Sequence, residues 1–233
     1  MSAEPSTPVI VRRGPKPWVV YLFLALSIGC VIAAIFYPLP KRAERTPTTE
    51  VAGPASYFDA PQFLLTDRSG NEVTTSDLRG KVWIASFVFT RCTMGCPQVT
   101  ATMQALQADF DLANADDLRL VTFTVDPEND SLDKLKKYAE TFQAHPTKWL
   151  FLTGKEKAVR PLLKDGFKIT ATKREHPKPG DEFDHSTKLF AIDKRGHIRG
   201  TFDGMQGERD SDGSIYRASL ARLQEMVAEL RKE

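Results

Sequence analysis

The chain has 233 residues, 41% hydrophobic and 27% charged, which suits one globular domain with an accessory segment. Its formal net charge of +2 resides in the first seventeen residues, and the charge-balanced remainder offers no basic face of the kind that nucleic-acid binding needs. Three cysteines are too few for a disulfide-scaffolded mini-protein.

Residues 1–17 are polar, contain proline and become basic at Arg12, Arg13 and Lys16, which reads as a short disordered tail. Trp18 to Tyr37 is a run of twenty residues without a charge. At ~1.5 Å per residue a helix of this length matches the hydrocarbon core of a bilayer. Trp18, Tyr21 and Tyr37 stand where interfacial aromatics belong. The competing readings are a buried core helix, a cleaved signal peptide and lipid attachment at Cys30. A core helix so uniformly apolar is out of scale with the chain. A signal would have a shorter apolar region and a small-residue cleavage site, where Pro38-Leu39-Pro40 follows here. A lipid-bearing cysteine would be followed by polar residues, whereas seven more apolar ones follow Cys30. The run therefore reads as a transmembrane anchor. Basic residues flank both ends, so charge does not orient it; the cysteine pair described below favours an outward-facing domain. Residues 38–56, rich in Pro, Thr, Glu and Arg, read as a stalk.

From residue 57 to 233 the pattern is that of one domain. Phe63 to Val73 reads as a β-hairpin around Asp67-Arg68-Ser69-Gly70-Asn71. Residues 81–89 form an apolar, β-branched and aromatic run that reads as a buried strand. Pro97 is expected at the first position of a helix to about Leu112, with Val99, Met103, Leu106 and Phe110 at helical spacing. A strand at 118–125 follows, then a helix capped by Asp130 or Ser131 and running to Phe142. A third strand is expected at 149–153, a short helix from Glu156 to Phe167, and a charged loop at 172–186. Strands at 187–192 and 197–202 flank the turn Asp193-Lys194-Arg195-Gly196, and an amphipathic helix spans 215–230. This order predicts an α/β, thioredoxin-like fold: a mixed sheet flanked by helices, with an added N-terminal hairpin.

The chemistry lies at the turn between the buried strand and the helix, where Cys92 and Cys96 stand four apart. Backbone N–H groups and the helix dipole at such a turn favour thiolate. A thioredoxin-type dithiol has two intervening residues; here there are three, Thr93-Met94-Gly95. Four-residue spacing on a helical turn puts both sulfurs on one side, where they can chelate one ion or, if the turn relaxes, close a disulfide. Thiolates with imidazole suit copper. Of the four histidines, His197 reads as a solvated turn residue, His145 as a helix-end residue before Pro146, and His176 as part of a charged loop. His185 precedes a strand in a loop that faces the cysteine turn, either as a third ligand or as a turn-capping imidazole.

Three segments, F-x-F-T-R-C-x-x-x-C-P, V-D-P-x-x-D at 125–130 and D-H-S-x-x-x-x-x-I-D at 184–193, together resemble the Sco (SenC) family over roughly residues 57–230. These are membrane-anchored copper chaperones of cytochrome c oxidase assembly. The resemblance implies one copper ion held by Cys92, Cys96 and His185. The implied partners are the copper-bearing oxidase subunit and other copper chaperones or thiol reductases. Asp126 and Asp130 match family positions near the site, as tuning or partner-contact residues, or as a loop turn and a helix cap. The family usually carries Pro-Asp after the first cysteine. Here Thr93-Met94 stands instead, so Met94 is either an auxiliary thioether ligand or an exposed loop residue.

A three-coordinate site suits metal transfer, whereas structural zinc wants a fourth ligand that has no candidate in register. The alternative function is a thiol–disulfide oxidoreductase in which Cys92 and Cys96 are the redox dithiol and reduce the recipient's cysteines. A peroxidase is disfavoured because Thr90-Arg91-Cys92 lacks the T-x-x-C spacing and the preceding proline. Seventeen residues are too few for a mitochondrial leader, so the expected setting is a bacterial inner membrane with the domain in the periplasm.

Overall fold

The computed structural model describes residues 58–233. The anticipated tail, anchor and stalk lie outside them, and among the described residues no helix is long and apolar enough to cross a membrane.

Among the described residues ten strands are present: β1 (Phe58–Asp59), β2 (Leu64–Asp67), β3 (Glu72–Thr74), β4 (Val82–Val88), β5 (Leu118–Thr124), β6 (Trp149–Thr153), β7 (Ala171–Lys173), β8 (Phe183–His185), β9 (Lys188–Ile192) and β10 (His197–Asp203). The helices are α1 (Gly95–Asp109), α2 (Leu132–Thr141), α3 (Glu156–Pro161), which widens into a π turn at Leu162–Gly166, and α4 (Ser214–Leu230). Eight strands form one mixed sheet in the order β1-β10-β9-β4-β5-β6-β2-β3. β4–β5 and β5–β6 are parallel, as expected where helices cross over, and the other pairs are antiparallel. The mixed α/β, thioredoxin-like expectation and the added hairpin at one edge agree with this architecture.

β4 is central, and all seven of its residues are buried, which is why its sequence is a continuous apolar run rather than an alternation. The period of two still sorts its side chains. Trp83, Ala85 and Phe87 enter a core with Phe123, Phe167, Phe183 and Phe190. Val82 and Ile84 enter a second core on the opposite face, with Val99, Met103 and Leu106 of α1, Leu135 of α2 and Leu223 and Val227 of α4. Three helices thus cover one face. The π turn and a small hairpin cover the other.

Local assignments differ from expectation in three places. α1 opens at Gly95 rather than Pro97, with Met94 as N-cap and Cys96 inside the first turn. Proline is tolerated anywhere in that turn because its missing N–H would have no intrahelical partner. The helix expected to Phe167 changes to a π turn after Pro161, where the Phe167 N–H donates to the Leu162 carbonyl at 3.0 Å. Finally, the segment expected as a loop at 172–186 contains the two-stranded hairpin β7–β8, with Ala171 opposite His185 and Lys173 opposite Phe183. Its only deeply buried side chain on β8 is Phe183, so three-residue strands with one anchor leave no readable period.

Candidate metal centre

Strand β4 runs toward the edge of the sheet and delivers Phe89, Thr90 and Arg91 to the turn that carries Cys92. The turn passes through Thr93 and Met94 into α1, whose first turn contains Cys96. α1 has no side-chain N-cap bond. Instead, the Cys96 N–H donates to the Cys92 sulfur at 3.4 Å, so a soft anion occupies the position of a capping oxygen. Cys96 is fully buried, whereas Cys92 is partly exposed.

β8 brings in the third group. His185 ends this strand rather than sitting in a loop, and its Nε2 lies 3.2 Å from the Cys96 Sγ. Its Nδ1 is 3.0 Å from the Ser186 carbonyl. A carbonyl only accepts, so Nδ1 donates to it, and Nε2 is the ring nitrogen turned to the sulfurs. The Phe89 ring packs edge-on against the imidazole at 5.7 Å and against Phe183 at 5.4 Å, holding both at the end of β4. The two Sγ atoms and Nε2 all lie within 4.8 Å of one another.

The thiols are electrostatically unequal. Hydrogen bonding with Cys96 and with His185, helped by the backbone N–H groups of Cys96 and Met94, draws Cys92 down to about 4 against the opposing effect of burial. Burial and the neighbouring Cys92 thiolate push Cys96 up. The pair therefore carries one thiolate and one thiol before a metal or an oxidant arrives. Two sulfurs and one imidazole make a soft donor set that suits copper and leaves an open side.

The two acids lie behind the turn. Asp126 is buried and accepts from Arg91 Nη2 at 2.6 Å and from Asn129 Nδ2 at 2.9 Å. Asp130 does not cap α2, because Ser131 does. Its carboxylate turns inward, accepting from the Thr90 N–H and from the Thr90 and Thr124 hydroxyls, and burial raises its pKa. Both acids brace the cysteine turn. Met94 is 65% exposed, which matches the exposed-loop reading.

Of the other histidines, only His176 stands as expected, exposed in its loop. His145 follows the end of α2 and makes local turn hydrogen bonds there. Its Nδ1 accepts from the Thr147 and Lys148 N–H groups at 3.3 and 3.1 Å, and burial together with Lys148, Arg119 and Arg68 lowers its pKa. His197 lies in β10 between Asp59 and Asp193, 3.3 Å from each, rather than free in solvent.

The sequence reading missed Phe89, Arg91, Gly180 and Glu182, which fix the turn and hairpin relative to each other. Arg91 was visible beside Cys92, but nothing in the sequence reveals that its partner stands ninety-one residues away.

The family model described as SCO1/SenC matches residues 54–218. The SCO1 protein homolog of Bacillus subtilis is 31% identical over 158 residues, covering 67% of this chain and 79% of that protein. A solved structure of BsSco, described as a member of the Sco family of cytochrome c oxidase assembly proteins with a disulfide switch, is 27% identical. It superposes with a TM-score of 0.58 over 72% of this chain and 93% of its own. Yeast Sco1 with copper bound is 25% identical with a TM-score of 0.52, over 71% and 88% of the two chains. With the family model spanning most of the chain and this fold beneath it, the protein belongs to the SCO1/SenC family.

Proposed function

We propose that this protein carries one copper ion on Cys92, Cys96 and His185 and delivers it to the copper-bearing subunit of cytochrome c oxidase during assembly. The observation that carries this reading is the convergence of two sulfurs and the His185 Nε2 within 4.8 Å. A site already holding one thiolate needs to lose only one more proton on loading. Three donors with an exposed side let an incoming ligand from the recipient attack before the first donor leaves. Copper is cargo here, so reversibility matters more than occupancy.

The test is titration of Cu(I) into the reduced domain against a competing chelator. One tightly bound ion is expected, with His185→Ala weakening binding at least tenfold. Unchanged affinity in that variant removes His185 from the site. Oxidation of the thiolate–thiol pair to a disulfide by an added oxidant, which removes two electrons and releases one proton, should abolish binding because the thiolate is the ligand form.

A second reading is supported by the inequality of the thiols. A partly exposed, low-pKa Cys92 beside a buried Cys96 is the arrangement of an attacking and a resolving cysteine. Turnover on the recipient's disulfide, with a dithiol potential below that of the substrate, would make reduction the main role. For the setting, we propose a single-pass anchor at 18–37 in a bacterial inner membrane with the domain in the periplasm. Full-length protein should stay with membranes after carbonate extraction, and release by carbonate would defeat the anchor.

A further inference from the structure

The guanidinium of Arg91 joins the two halves of the metal centre. Arg91 immediately precedes Cys92, and one arm of its fork, Nη2, meets the buried Asp126 carboxylate at 2.6 Å. The other, Nη1, meets Glu182 Oε1 at 2.9 Å. Glu182 begins the return of the hairpin that ends in His185, three residues on. A second tie runs beside the first. The Thr93 N–H donates to the Gly180 carbonyl at 3.0 Å, and Gly180 has φ +86°. A Cβ there would lie 2.3 Å from Thr93 Oγ1, so hairpin and cysteine turn touch backbone to side chain.

Glu182 is poorly provided for apart from Arg91. Its side chain is 12% exposed, and its Oε2 is buried without a hydrogen-bond partner among the described residues. A carboxylate with one oxygen stranded in this way depends on its ion pair, because removing the partner leaves an uncompensated buried charge. Asp126 holds Arg91 from the sheet side, so the guanidinium is fixed and Glu182 follows it. Lysine, with a single ammonium on a flexible stem, has no fork to reach both carboxylates.

We propose that Arg91 is a positioning residue for the metal centre. By clamping Glu182 it sets where His185 stands relative to the two sulfurs, and so sets the share of copper affinity that the imidazole contributes. This rests on the copper reading above. Arg91 touches neither ion nor ligand atoms and acts through the hairpin.

The experiment is a double-mutant cycle of Arg91→Lys and Glu182→Ala in the full chain. It is read by Cu(I) competition, by nitrogen superhyperfine coupling of the Cu(II) form, and by NMR of the His185 imidazole in the copper-free protein. Each single variant should weaken copper binding about tenfold and shift the His185 signals. The double variant should be no worse than either single, because one strap is lost in all three. Glu182→Gln, which keeps an acceptor in the same place, should recover most of the affinity. Additive losses, or His185 signals and nitrogen coupling unmoved in both single variants, overturn the strap. If wild-type protein binds no copper, the delivery reading fails, while the His185 signals of the copper-free variants still decide whether Arg91 positions the imidazole. Arg91→Lys keeps a cation beside Asp126, and thermal melting checks that each variant folds.

Discussion

At the residue scale the centre is built on inequality between two like groups. The Cys96 thiol, the imidazole and the backbone N–H groups at the start of α1 all draw Cys92 down, while burial pushes Cys96 up. With the Cys92 thiol near 4, its thiolate population is constant through neutral pH. Alkylation of the reduced, metal-free protein by iodoacetamide should therefore label Cys92 in preference to Cys96, at a rate nearly flat from about pH 6 to 8. An ordinary thiol, with a pKa near 8.5, reacts about tenfold faster per pH unit over that range. A rate that rises with an inflection near the ordinary value would refute the assignment.

Asp130 is the other residue whose surroundings set its behaviour. Three donors converge on it from Thr90 and Thr124, so Asp130→Ala should destabilise the domain by about 2–3 kcal/mol in urea unfolding, chiefly through the buried Thr90 N–H left unpaired. Its pH dependence has a definite sign. Burial raises the folded pKa above the ordinary 3.8, so the stability linked to its proton is fully present below 3.8 and is lost as pH rises through the folded value. Unfolding measured upward from pH 3.5 should show wild type losing stability relative to Asp130→Asn, and parallel curves would mean that the carboxyl titrates normally.

At the element scale, the ligands come from two elements that could not be related by local pattern. The strand–turn–helix unit carrying Cys92 and Cys96 follows from its apolar run and helical spacing, and its boundaries were legible to within three residues. The hairpin carrying His185 was not. Its strands are three residues long, its single anchor Phe183 reaches the core next to Phe89, and Arg160 spans its base by donating to the Ala171 carbonyl at 2.9 Å. Such an element is held by tertiary contacts and owes little to its own propensity. At Gly180 the two elements meet backbone to backbone, through the Thr93 N–H. Gly180→Ala should cost about 1–3 kcal/mol from the left-handed φ and the clash with Thr93, and should weaken copper binding by separating the hairpin from the turn. Chemical denaturation with Cu(I) competition measures both, and an unperturbed variant would show that the hairpin does not hold the turn.

At the scale of the whole molecule, the centre sits at the end of a strand buried on both faces, which makes its position stiff. Phe87 packs against Phe123, Phe167 and Phe190 with ring centroids 5.0–5.7 Å apart, directly beneath the turn. Phe87→Ala should cost about 3–5 kcal/mol through the cavity left in this aromatic cluster. It should loosen the metal centre although no ligand is touched. Calorimetry and copper competition would check it, and a loss below about 1 kcal/mol would mean that the cluster collapses into the space.

What the sequence by itself determined is whatever depends on local period and local chemistry. The continuous apolar run of β4, the α/β alternation and the four-residue cysteine spacing at a helix start can all be read without a structure, because each is specified within a dozen residues. The histidine could be narrowed to His185 only through the resemblance of three separated segments. What only the tertiary structure decided is the placing of His185 Nε2 against the sulfurs, the division of one proton between two thiols, and the Arg91 clamp between Asp126 and Glu182. These depend on burial and on contacts between residues as many as ninety-one apart, and a chain carries no local record of either.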